Sequence, residues 1–202
     1  MSNLLLVDGD VPTIGVLAIQ GDFQEHIEVL TRLEINSKEI RLPGQLEGVD
    51  GLIIPGGEST TIVQMIDTFD LRYALVREVQ SGLPVWGTCA GMIVLADRLT
   101  DSRPDPLSLI DIEVSRNAFG RQIDSFEQGI NISEMQGPPF PGIFIRAPVV
   151  ESVGSEVEVL GSIDNERPVA VRQGRILATS FHPELTDDSR MHQLFLRMIQ
   201  AI

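Results

Sequence analysis

Apolar positions recur along this chain in short blocks, and the spacing of those blocks changes character near its middle. Residues 13–19 form an apolar run that Gln20-Gly21-Asp22 ends, which predicts a first buried strand. Phe23, Ile27, Leu30 and Leu33 then fall at helical spacing, so a helix over 23–33 buries one face. A short strand is expected near Ile40, and a buried one over 50–54 before Pro55-Gly56-Gly57. Ser59 and the threonines after it can cap a helix to about Asp67, and a further helix over 71–80 closes at Ser81-Gly82. A strand over 83–86 passes through a glycine-flanked turn into a helix reaching about Leu99. This alternation argues for a parallel sheet covered on both faces.

Beyond Arg103-Pro104-Asp105-Pro106 the blocks shorten. Segments 109–115, 130–132, 143–147, 157–160, 168–171 and 175–181 are β-like, with turn residues between them. The chain ends in a helical stripe of Met191, Leu194, Phe195, Met198, Ile199 and Ile202, which Asp187, Asp188 or Ser189 could cap. Residues 1–12 read as an N-terminal extension and 13–202 as one domain, since 202 residues suit a single core.

Composition narrows the function classes. Aspartate and glutamate number 29 against 15 lysines and arginines, for a formal charge of −14. So acidic a chain is poorly suited to nucleic acid or an anionic membrane, where clustered cations are needed. One cysteine permits no internal disulfide and suits a reducing compartment. The start, MSNLLLVDGD, has no basic region and early acids, unlike a signal peptide. No apolar stretch approaches the roughly 20 residues of a bilayer span. A cytoplasmic location is expected.

That single cysteine, Cys89, lies in VWGTCAGM, between an apolar strand and a predicted helix. Gly87 and Gly91 bracket Thr88-Cys89-Ala90, the pattern of a nucleophile elbow. A lone cysteine is more often a small buried hydrophobe. The rest of the constellation reverses that reading. A thiol nucleophile needs a base, and the base needs an orienting group. Of three histidines, His192 reads as a surface or edge residue of the last helix, and His26 as structural. His182 lies in ATSFHPELT at the end of a β-like run, where α/β folds gather their site residues. Glu184, two residues on, points to the same side if the chain is extended, and can fix the histidine's tautomer. Ala90 can supply one oxyanion N–H, and Gly57 in IIPGGEST a second. That loop could instead cradle a phosphate, but it lacks the lysine of a phosphate loop and does not match GxGxxG.

PGGES, GTCAG and FHPE, in this order, resemble the class I glutamine amidotransferase family. GVLAIQGDFQEH, LIIPGGESTT, SRNAFGRQIDSFE, GIFIRAP and SFHPELTDDSR are similar to its branch of pyridoxal 5′-phosphate synthase glutaminase subunits. The similarity runs from about Thr13 to Ile202; residues 1–12 lie outside it, and Gln24 stands where a basic residue is expected. The resemblance implies an α/β fold, a single-domain three-layer sandwich on a mostly parallel central sheet. It implies a glutaminase with Cys89, His182 and Glu184 as catalytic triad, whose partner is a synthase subunit that receives the ammonia. Gly57, Glu58, Ser59, Arg116, Ile145 and Arg146 match glutamine-binding positions, with Gly57 and Ala90 as the oxyanion hole. An arginine suits the carboxylate of a free amino acid; a surface ion pair is the plainer role for Arg116 and Arg146.

No metal or organic cofactor is expected, since no cysteine–histidine cluster has metal-ligand spacing. A glutaminase serving another synthase, such as that for imidazole glycerol phosphate, would carry the same triad. A non-catalytic glutamine sensor would need none.

Overall fold

The computed structural model describes residues 11–116, 125–164 and 166–200. Strand β1 (Thr13–Leu17) leads into helix α1 (Phe23–Arg32), β2 (Asn36–Ile40) and β3 (Gly51–Ile54). Helices α2 (Ser59–Thr68) and α3 (Leu71–Gln80) precede β4 (Val85–Thr88) and the short α4 (Ala90–Leu95). Strands β5 (Ala96–Leu99), β6 (Ile110–Ser115), β7 (Ser125–Ile130), β8 (Phe140–Ile145) and β9 (Val149–Val153) follow. The chain then returns through β10 (Glu158–Ile163), β11 (Arg167–Gln173) and β12 (Ile176–Thr179) to helix α5 (Arg190–Gln200).

Seven strands make the central sheet, in the order β10-β11-β12-β4-β3-β1-β2. From β12 to β2 every pairing is parallel; β10 and β11 run antiparallel at one end. The alternation of side chains along the strands sorts the core into two faces. Leu52, Ile54 and Val85 pack with α2, α3 and α4. Ile14, Val16, Ile53 and Trp86 pack with Leu30 of α1 and with Met191, Leu194 and Phe195 of α5. Helices on both faces of a mostly parallel sheet give the expected three-layer α/β sandwich. Two smaller sheets, β5-β6-β9 and β7-β8, complete the strand structure of the described residues.

Local expectations differ at several points. The helix expected to reach Leu99 stops at Leu95, because Ala96 turns extended and the chain joins β6 as a parallel strand. All six residues of α4 are buried, so a continuous apolar run hides the change of period. Strand β9 is absent from the expected set, since Glu151 and Ser152 interrupt its apolar pattern. Strand β7 begins well before the expected segment 130–132; of its residues only Phe126 and Ile130 are large and apolar, and its pairing with β8 carries the rest. Glu58, not Ser59, is the N-cap of α2: its carboxylate accepts from the Thr60 and Thr61 backbone N–H groups at 3.1 and 2.7 Å. Residues 1–10, the motif segment 117–124 and Ile202 lie outside the described residues. No helix among the described residues is long and apolar enough to cross a membrane.

Candidate active site

The parallel strands β1, β3, β4 and β12 all end at one edge of the sheet, so the loops that follow them converge. The loop after β4 is a single residue. Cys89 joins β4 to α4 with φ 47° and ψ −106°, a combination that L-residues avoid. Its backbone N–H donates to the Thr179 carbonyl at 2.8 Å, tying the turn to β12. The turn also needs Gly91, where a Cβ would sit 2.0 Å from the Ile54 carbonyl oxygen.

After β12, Ser180 and Phe181 carry the chain to His182, whose backbone N–H donates to the Ile143 carbonyl at 2.8 Å. His182 Nδ1 lies 2.7 Å from Glu184 Oε1 and 3.5 Å from Asp22 Oδ2. Its ring faces the same cavity as the Cys89 sulfur. Burial disfavours the charged imidazole, but the contacts with Cys89 and Glu184 outweigh it and push the ring up to about 10. Burial raises the Glu184 carboxyl above its ordinary value, with His182 pulling against it. The loop after β3 must come close to this ring: a Cβ on Gly56 would lie 2.4 Å from His182 Cε1.

A cavity of about 640 Å³ opens over the sulfur. Gly57, Glu58, Ser59, Ala90, Arg116, Ile145 and Arg146 line it together with Cys89 and His182, so each of these expected residues reaches one place. Glu184 stands behind His182, out of the cavity and 5% exposed. Cys89 Sγ is 3.7 Å from the Ile145 carbonyl oxygen. Arg116 donates to the Arg103 carbonyl at 2.9 Å and to Glu58 Oε1 at 3.2 Å. The Glu58 carboxyl opposes its own desolvation with hydrogen bonds from Thr61 and Thr60, and is lowered overall.

Other parts of the site escaped the sequence. Asp22 lines the cavity beside His182. His192 is buried, contrary to its expected edge position, and His26 is wholly enclosed, so neither ring reaches the surface. Asp22 and His26 are four residues apart at the start of α1; that spacing puts both on one helix face and is the available signal. Asp22, His182 and Glu184 offer ligand atoms within 4.8 Å of one another, among the described residues a conceivable metal group. His182 Nδ1 is already engaged there by Glu184. The arrangement suits acyl chemistry: a thiol, an imidazole on the same cavity wall, a buried carboxylate holding that ring, and glycine-rich backbone opposite.

The profile of the SNO glutamine amidotransferase family matches residues 16–201. A pyridoxal 5′-phosphate synthase subunit PdxT from Salinispora arenicola is 51% identical over 196 residues, covering 94% of this chain and 98% of that one. The PdxT subunit of Thermotoga petrophila is 48% identical over 187 residues, covering 93% and 99%. A glutamine amidotransferase crystal structure superposes with a TM-score of 0.88 at 46% identity, over 93% of this chain and 99% of that one. A putative GMP synthase component from Thermoplasma acidophilum, at 17% identity and a TM-score of 0.65 over 95% of this chain and 94% of that one, shares the fold.

Proposed function

This chain belongs to the SNO glutamine amidotransferase family, and we propose that it is the glutaminase subunit of a pyridoxal 5′-phosphate synthase. It is a glutamine amidohydrolase that releases ammonia for a synthase subunit in a hetero-oligomeric complex, in the cytoplasm. Residues 13–202 form the glutaminase domain and 1–12 an extension to it. The observation that carries the mechanism is Cys89 and His182 on one cavity wall, with Glu184 behind the ring at 2.7 Å.

Glutamine enters with its amide carbon over the sulfur. His182, held by Glu184, takes the thiol proton or already holds it in an ion pair with the sulfur, and Cys89 attacks the carbonyl carbon. Backbone N–H groups of Ala90 and Gly57 receive the oxyanion. His182 returns its proton to the departing ammonia, leaving a thioester. Water, activated by the same ring, then releases glutamate. Arg116 grips the substrate carboxylate, and Glu58, Ser59, Ile145 and Arg146 shape the rest of its pocket. Ammonia let loose in solvent would waste glutamine, so the isolated subunit should be weakly active. A synthase that binds the competent state better raises its population.

The test is glutamate formation from L-glutamine, alone and with the cognate synthase subunit. Turnover that rises on titrating that synthase supports the reading. Turnover that responds instead to an unrelated ammonia-using synthase, or no turnover under any condition, would refute it.

A further inference from the structure

Behind Glu184, on the side away from the cavity, two histidines lie in the core. His26 of α1 and His192 of α5 are 0% and 1% exposed. They pack edge-on against Trp86, with ring centroids 5.7 and 4.9 Å from it. Apolar side chains would fill this space without desolvating two imidazoles. The polar atoms instead form a line towards the triad. His192 Nε2 is 3.0 Å from His26 Nδ1, and His26 Nε2 is 3.1 Å from Thr88 Oγ1 and 3.4 Å from Glu184 Oε2. Glu184 Oε2 and His192 Nδ1 are both buried with no hydrogen-bond partner.

These contacts select the tautomers. Both rings are neutral: burial lowers each, helped at His26 by His192 and His182 and at His192 by Arg32. One proton lies between His26 Nδ1 and His192 Nε2. If His26 donated it, His26 Nε2 would turn a lone pair on the Glu184 carboxylate, and His192 Nδ1–H would be a buried donor without an acceptor. If His192 donates it, His192 Nδ1 carries only a lone pair. His26 Nε2 then carries the hydrogen, directed between Thr88 and Glu184. The second arrangement avoids both costs.

We propose that His26, held by His192, is a positioning residue for the triad: its Nε2–H holds Glu184 Oε2 and so keeps Oε1 on His182. This rests on the catalytic reading given above. The ionisable groups around the line are His182, Glu184, Asp22 and Arg32. In the resting arrangement His26 Nε2 bonds Thr88 Oγ1 at 3.1 Å and stands 3.4 Å from Glu184 Oε2, beyond a formed hydrogen bond; a small shift of either side chain closes that contact. His26 does not line the cavity, so it acts on turnover and not on binding.

Two variants of the full chain separate positioning from packing. In His26→Gln the amide nitrogen extends to where Nε2 stands; in His26→Asn it extends only to where Nδ1 stands. The readouts are kcat and KM for glutamine, and the pH profile of Cys89 alkylation by iodoacetamide. Each is normalised to the folded fraction from Trp86 fluorescence. His26→Asn should lower kcat on the order of ten- to a hundredfold, the range for groups that orient a functional side chain from behind. KM should stay unchanged, and the alkylation profile should move. His26→Gln should recover most of the kcat and the wild-type profile. Equal losses in both variants with an unmoved profile would reduce His26 to packing, and full turnover in His26→Asn would overturn the proposal directly. Alkylation needs no glutamine. If the wild type proved not to be a glutaminase, the profile alone would still decide the role of His26.

Discussion

His182 Nδ1 and Glu184 Oε1 are 2.7 Å apart, with only Pro183 between the two residues in the chain. In an extended chain, positions i and i+2 share a side. The contact arises differently here. His182 has φ −104° and ψ 87°, and a 3₁₀ turn starts at Pro183 and runs to Leu185. Proline at the first position of that turn has its φ preset. The turn folds the carboxylate back under the ring and into the core. A buried, chain-local carboxylate loses little entropy in meeting its histidine.

Removing members of this unit should be non-additive. His182→Asn is expected to abolish glutamine turnover, and Glu184→Gln to reduce it less, since the ring survives without its anchor. The double variant should be about as inactive as His182→Asn alone. Steady-state glutamate release from the three variants checks this; losses that multiply would mean that the residues act independently.

Cys89 should report both chemistry and strain. Cys89→Ala is expected to bind glutamine and form no glutamate. Alanine keeps the penalty of φ 47°, while glycine is free of it. Strained φ/ψ positions cost on the order of 1–3 kcal/mol, so Cys89→Gly should be more stable than Cys89→Ala by about 1 kcal/mol. Urea unfolding of the two inactive variants compares them without substrate.

Gly56→Ala should act on the base rather than on the nucleophile. Its Cβ would meet His182 Cε1 at 2.4 Å, and the ring must shift to admit it. A displacement of about 1 Å in a catalytic group can cost on the order of a hundredfold. The expected result is that loss in kcat, with Cys89 still present to alkylation but reacting with an altered pH profile.

Much of this was legible in the chain because parallel α/β architecture writes itself in alternating blocks. The strands β1, β3 and β4, and the helices α1, α2 and α3, lie close to where apolar spacing puts them. Cys89, His182 and the Gly56-Gly57 loop were visible as residues at strand ends. What stayed hidden depends on contacts far apart in sequence. Asp22 meets His182 across 160 positions, and His26 meets His192 across 166. Apolar spacing in α1 and α5 marks which face is buried, but not that a histidine on that face meets another one. The strand at β7 depends on its partner β8 in the same way.

The buried histidine pair should make the protein acid-sensitive in a defined window. Burial lowers His26 well below 6.5 and takes His192 down to about 3, so the folded state resists protons that the unfolded chain accepts. This stabilisation is complete above pH 6.5 and is lost as the pH falls from there through the folded values, at about 1.4 kcal/mol per pH unit for each group. His182, raised to about 10, has its stabilisation complete below 6.5 and loses it as the pH rises from there through 10. Glu184, raised by burial, is most stabilising below 4.5 and works against the acid loss. Comparing His192→Gln with wild type cancels that opposing share. Unfolding followed by Trp86 fluorescence between pH 6.5 and 4.5 should show a shallower pH slope in the variant; equal slopes would mean that His192 is not held neutral.

Arg116 decides whether the cavity reads an amino acid or merely holds an ion pair. Its guanidinium has two anchors, the Arg103 carbonyl at 2.9 Å and Glu58 Oε1 at 3.2 Å, so it stands fixed at the cavity wall before any substrate arrives. Exposed ion pairs contribute little, at most about 1 kcal/mol, so Arg116→Ala should barely change stability. A hydrogen-bonded contact to a charged carboxylate is worth about 1.5–3 kcal/mol, which predicts a rise in the KM for glutamine of roughly ten- to a hundredfold. The kcat should fall less, because the proposed contact is with the end of glutamine remote from the reacting amide. Arg116→Lys keeps the charge but not the two-pronged donor, and should recover only part of the loss. Initial rates over a range of glutamine concentrations separate the two parameters. An unchanged KM in Arg116→Ala, together with a loss of stability, would leave Arg116 as the partner of Glu58 and no more.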